Sequence, residues 1–167
     1  MSAPSHSKGP PPSPAPNPEG PTIRLLRRAV GAVFVLGLIG TATELILLEH
    51  VEDPWQWTPL VLIGLCWAVL LWRVLGGGAG ALRAFQGLMV LFLAAGALGL
   101  VLHYRGNVEF ELEMYPSRKG FELFWEALKG ATPALAPGMM IQLGLLGLAS
   151  TLRHPLLSSD SSNGDRS

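Results

Sequence analysis

Charge is scarce in this chain. Twelve Lys and Arg and twelve Asp and Glu make up 14% of 167 residues and cancel to a formal net charge of zero. Without a basic excess the composition gives no reason to expect a nucleic-acid partner. Cys66 is the one cysteine, so an intramolecular disulfide is excluded, and its place inside an apolar run reads as a small core side chain. No G-x-S-x-G, H-E-x-x-H or Walker loop occurs, and the apolar runs offer only Thr41, Thr43, Cys66 and Ser150 as scattered nucleophiles. No enzyme class is indicated. The run Gly76-Gly77-Gly78-Ala79-Gly80-Ala81 has the spacing G-x-G-x-x-A, but it follows an apolar helix pattern rather than a strand and reads as a flexible connector. No cofactor is expected from any motif.

What is present is apolar. With 49% hydrophobic residues and a mean hydropathy of +0.38, the chain reads as an integral membrane protein. Four runs, 29–48, 57–75, 84–102 and 134–152, each approach the about 20 residues that cross a hydrocarbon core of about 30 Å. Arg24, Arg27 and Arg28 precede the first run, which continues past the weak signal-like site at Gly40-Thr41-Ala42 and is therefore expected to stay as a span. Thr132 and Pro133 make a good start for the fourth, whereas Pro137 either kinks that helix or marks its true beginning. Residues 23–155 form the expected transmembrane domain. The Pro-rich segment 1–22 and the polar segment 156–167 lack the apolar side chains that offset folding entropy and are expected to be disordered tails.

Orientation follows from Lys and Arg. Arg24, Arg27, Arg28, Arg73, Arg83 and Arg153 fall on one side, with Lys8 and Arg166 in the tails. Arg105, Arg118, Lys119 and Lys129 fall on the other. Both termini are thus expected in the cytoplasm, with 49–53 and the long segment 103–131 facing outward.

That outward segment carries most of the pattern. Val108 to Met114 alternates apolar and acidic residues, the period of a half-buried strand, which would set Glu109, Glu111 and Glu113 on one face. Tyr115-Pro116 then breaks the pattern. Ser117 can cap a helix over 118–129, closed by Gly130, in which Phe121, Phe124, Trp125 and Leu128 form one apolar stripe. Too short to span, this helix is expected along the outer interface, its stripe in lipid headgroups, against the spans, or on a partner.

The stretches GTATELILLEHVEDPWQWTPL, HYRGNVEFELEMYPS and FWEALKGATPALAPG resemble a family of small bacterial four-span membrane proteins to which no activity is assigned. The likeness covers residues 30–155 and implies a bacterial inner-membrane setting and the same span count. It implies no chemistry.

Two kinds of polar residue near the spans point to function. Glu44 shares a helix face with Gly37, Gly40 and Thr41 at i, i+3, i+4 and i+7 spacing, a stripe that would hold the carboxylate inside the bundle as a hydrogen-bonding or a proton- or cation-binding group. The alternative function is a small proton- or cation-coupled transporter working as a homodimer around Glu44; a four-span chain with a glutamate in its first span is similar to small multidrug exporters, from which this sequence departs in its long third loop and in the outer position of the glutamate. His50 and His103, with Met139 and Met140, lie near the outward ends and are the candidates for a metal or haem site, though no close-spaced pair is present. Gln142 is expected to tie two helices by a hydrogen bond. The leading expectation is an accessory membrane protein whose outward loop engages a membrane or periplasmic partner through Glu109, Glu111, Glu113, Phe121, Phe124 and Trp125.

Overall fold

A computed structural model of the protein describes residues 20–49, 54–130, 136–152, 154 and 156. Among them the regular structure is helical throughout: α1 (Pro21–Leu47), a single 3-10 turn (Pro54–Gln56), α2 (Trp57–Val74), α3 (Gly78–Met114), α4 (Gly120–Lys129) and α5 (Gly138–Thr151). The two tails lie almost wholly outside the described residues.

Three helical stretches, Pro21–Leu47, Pro54–Val74 and Gly78–Met114, are long and apolar enough to cross a membrane, with mean hydropathies of 2.1, 1.7 and 2.2 over their most apolar windows. The fourth apolar helix, α5, has 14 residues. At 1.5 Å per residue that is roughly 21 Å, short of a hydrocarbon core of about 30 Å. Pro137 caps α5 in place of sitting inside it, so of the two readings of that proline the later helix start holds. The expected start at Thr132-Pro133 lies outside the described residues.

α5 is the element on which the bundle closes. It runs antiparallel to both α1 and α3: Arg27 Nη2 donates to the Leu152 carbonyl at 3.0 Å, and Gln86 Nε2 donates to Thr151 Oγ1 at 3.1 Å. Small residues let the backbones meet. A Cβ on Gly96 of α3 would stand 2.9 Å from the Ile141 nitrogen, and one on Gly144 of α5 would stand 2.9 Å from the Met89 carbonyl oxygen. In lipid, where apolar side chains gain nothing by leaving the solvent, such close van der Waals approach is a main source of helix association. Phe34, Leu38, Cys66, Phe85, Met89, Phe92 and Leu143 fill the centre, with Phe34 edge-on to Phe85 at 5.5 Å between ring centroids. The one cysteine is thus a buried core side chain.

The Gly-rich connector between α2 and α3 is tighter than a flexible linker. Gly76 adopts φ +100°, the Gly77 amide donates to the Trp72 carbonyl at 3.0 Å and the Gly76 amide to the Arg73 carbonyl at 3.3 Å. This pair of bonds closes the orphan carbonyls at the end of α2 and needs a residue that tolerates positive φ. The chain reverses within three residues and α3 starts at Gly78.

The strand expected over 108–114 does not form. Those residues are the last two turns of α3, which continues without a break for 37 residues, roughly 56 Å. Two physical reasons account for the outcome. Glu, Leu and Met are good helix formers, and nothing between the apolar run and Pro116 stops a helix already under way. A strand would also need a neighbour for its backbone groups, and none is present among the described residues.

Candidate functional site

The segment expected to face outward is a helical hairpin. The last turns of α3 rise beyond the apolar run, the chain turns at Tyr115 to Lys119, and α4 packs back against α3. Ser117 does not cap α4: the helix begins at Gly120, whose φ of +61° sets the turn, and Lys119 at the cap position makes no side-chain bond to it. Gly130 ends the helix as expected.

Polar contacts fix the hairpin at both ends. At the end nearer the apolar part of α3, Asn107 is buried and its Nδ2 donates to the Ala127 carbonyl at 2.9 Å. The same amide lies so close to Gly130 that a Cβ there would stand 2.6 Å from Asn107 Cγ. At the tip, Arg118 pairs with Glu111 of α3 and, at 3.2 Å, with Glu122 of α4, while its guanidinium sits 4.1 Å from the centre of the Tyr115 ring. Desolvation acts to lower the Arg118 pKa but is outweighed by the charges and hydrogen bonds of Glu111 and Glu122 taken together, which hold it above its ordinary value. Lys129 bonds Glu126 at 2.9 Å, and that hydrogen bond, more than the charges of Lys129 and Arg118, keeps the Glu126 carboxyl below its usual range.

The acidic residues divide between two faces. Glu111 is half-buried against α4 in the Arg118 pair, and Glu109 and Glu113, one turn apart, are exposed on the other side of α3. A three-carboxylate face, as a strand would give, is absent for that reason. Among the described residues no group of three or more His, Cys, Asp or Glu is arranged to hold a metal ion.

α4 docks by its smaller side chains. Ala127 is fully buried and Leu123, four residues earlier on the same line, is half-buried. The aromatic stripe points elsewhere: Phe121 is 76% exposed, Trp125 47% and Phe124 44%. The rings contact one another, Phe121 stacking on Trp125 at 6.3 Å between centroids and lying 6.1 Å from Phe124, and Phe124 reaches back to Tyr104 of α3 at 5.9 Å. The result is a connected aromatic surface on the side of the hairpin. α4 stands antiparallel against the last turns of α3 and shows this surface to the side of the hairpin.

The other sequence candidates are not gathered with it. Glu44 is exposed on the outer surface of α1 and does not enter the bundle; Gly37 and Thr41 face α5, whereas Gly40 has open space where a side chain would be. The stripe of four splits because α1 buries Phe34, Leu38 and Thr41 as its inner line. His103 is half-buried on α3, Met140 is a core residue and Met139 is at the surface of α5, so the two methionines face different ways. His50 lies outside the described residues. Gln142 is exposed; the interhelical tie is made by Gln86 and Thr151. Asn107 and Gln86 are the polar residues that sequence reasoning passed over. Each is a lone amide at the margin of an apolar run, a position where an uncharged polar group is kept only when a partner is at hand.

No protein-family model, curated protein or solved structure matches the chain.

Proposed function

We propose that the chain is a four-span protein of the bacterial inner membrane with both termini in the cytoplasm, and that the α3–α4 hairpin is its working part. In this reading α5 and the residues before it make the fourth crossing, and the hairpin faces outward as a rigid mount for an interaction with a membrane or periplasmic protein. Its role is accessory, and no chemistry is assigned to it.

The observation that carries the reading is the unused aromatic stripe. α4 is held by Leu123, Ala127, Asn107 and Arg118, with Phe124 against Tyr104, and without Phe121 and Trp125. Aromatic side chains left clustered and half in water on a firmly held helix have the composition of an interaction centre. Orientation is supported by the cations: Arg24, Arg27, Arg28, Arg73 and Arg83 gather at the end opposite the hairpin.

A photo-crosslinking residue in place of Phe121, activated in intact cells, is expected to join the chain to one discrete protein, and the product is expected to disappear when Trp125→Ser is added. Crosslinks to lipid and self alone sink the proposal. In a Cys66→Ser background, a membrane-impermeant maleimide should label a cysteine at Glu113 and spare one at Gly20. The reverse pattern would turn the molecule over.

A second reading rests on Glu44. The carboxylate and Gly40 share the exposed face of α1, so two copies meeting there would bring both glutamates together as a proton or cation site. Proteoliposomes carrying Glu44→Gln should then lose pH-dependent cation uptake; uptake equal to the parent's removes this reading.

A further inference from the structure

At the end of the bundle away from the hairpin, α1, α2 and α5 leave a recess of about 190 Å³ lined by Arg27, Arg28, Gly31, Arg73 and Ser150. One ordered water needs about 10–15 Å³ on this measure, so the space takes a polyatomic group. Three of its five lining residues are arginines and none is an acid. Two of the three cations are held in place. Arg27 is anchored to the Leu152 carbonyl at 3.0 Å, and the Arg73 guanidinium lies 6.0 Å from the centre of the Phe85 ring. The Ser150 hydroxyl donates to the Gly147 carbonyl at 2.7 Å, which leaves its lone pairs to accept from an arginine.

Three guanidiniums around one recess repel one another, and at the margin of a hydrocarbon layer water screens that repulsion less than in bulk. An anion in the recess reverses the sign of the interaction. The forked donors of arginine fit the oxygens of a phosphate, which takes paired hydrogen bonds from several of them at once. Basic recesses between membrane helices at the depth of the headgroups meet such groups on anionic lipids. Gly31 contributes by omission: a Cβ built there finds no atom within 4 Å, so the wall is open at that point.

We propose that this recess binds a phosphate-bearing anion, held by Arg27, Arg28 and Arg73. The inference does not rest on the outward hairpin or on which leaflet the recess meets, since phosphate chemistry is the same in both. The test uses the full chain purified in mild detergent, with thermal unfolding followed by circular dichroism in the presence of phosphatidylglycerol, phosphatidylcholine or inorganic phosphate. With the anion at about a hundred times its Kd, the Tm is expected to rise by roughly 5–10 °C. A rise with phosphatidylglycerol alone assigns a lipid headgroup, and a rise with inorganic phosphate as well assigns a free anion. Gly31→Leu fills the recess while keeping every arginine, and Arg28→Gln removes an exposed charge that the bundle does not need. Reduction of the rise in either variant places the anion here. No rise with either phosphate compound, an equal rise with phosphatidylcholine, or a rise undiminished in both variants overturns the proposal.

Discussion

α4 and α5 both pack antiparallel to α3, and they do it by opposite means. α5 meets the apolar half of α3 through glycines, with backbone against backbone at Gly96 and Gly144 and one side-chain hydrogen bond, from Gln86 to Thr151, at the far end. α4 meets the polar half through a buried amide, an arginine shared by two carboxylates, and a line of small and aliphatic side chains. The difference follows the solvent. Among lipid tails, leaving the surroundings gains an apolar side chain nothing, so shape and closeness decide. In water an apolar stripe would normally be the docking face of a short helix, and on α4 it is not. What holds α4 is specific and polar, which leaves the aromatic face at liberty for something else.

That contrast can be broken from either side. The largest effect is expected from Gly96→Leu, because backbone atoms of Ile141 and Pro137 stand where the side chain must go. Overpacking of this kind costs about 3 kcal/mol, and the variant should unfold in detergent well below the parent temperature. Asn107→Leu comes next. It takes away the side-chain donor to the Ala127 carbonyl, which keeps only the longer bond from the Gly130 amide at 3.4 Å, at a cost of about 1 kcal/mol, and hydrogen exchange should quicken across α4 while α1, α2 and α5 keep their protection.

Acid should act more weakly and in the same place. The Glu126 carboxyl has a lowered pKa in the folded chain, so its contribution is complete above the ordinary carboxylate range and is lost as pH falls through the lowered value. α4 exchange should therefore rise slightly in strong acid, with no change on the alkaline side. The smallest effect belongs to the face without a structural duty. Phe121→Ser and Trp125→Ser together should shift unfolding by no more than about 0.5 kcal/mol. A large loss would mean that the stripe helps hold the hairpin after all.

The apolar runs were legible because hydropathy summed over some twenty residues outweighs any local preference. The second run, expected over 57–75, became α2 at Trp57–Val74 almost unchanged. The first and third helices run beyond the apolar runs at 29–48 and 84–102, since helices go on past the edge of such a run wherever nothing stops them: α1 starts at Pro21, where proline suits a first turn, and α3 ends only where Pro116 follows. The alternation at Val108 to Met114 misled because period two is also what a helix shows when its apolar residues fall on more than one side, and continuity with the helix before it decided the matter. The aromatic stripe of α4 was legible as a stripe, whereas its freedom was not. Which face a helix buries depends on its neighbour, here on the amide of Asn107, which does not stand out in a linear reading, and on Glu111, whose pairing with Arg118 no linear pattern shows. The basic recess had a linear trace in Arg27, Arg28 and Arg73, but only the fold brings residues 45 or more apart in sequence around one space.

The unbroken run of α3 from Gly78 to Met114 has a mechanical consequence. A rod with no joint between its tip at Met114 and its opposite foot does not absorb a sideways load by bending at a hinge; it tilts as one piece. A force applied at the hairpin is felt with reversed direction at the foot, where Phe85 lies against both the ring of Phe34 and the guanidinium of Arg73.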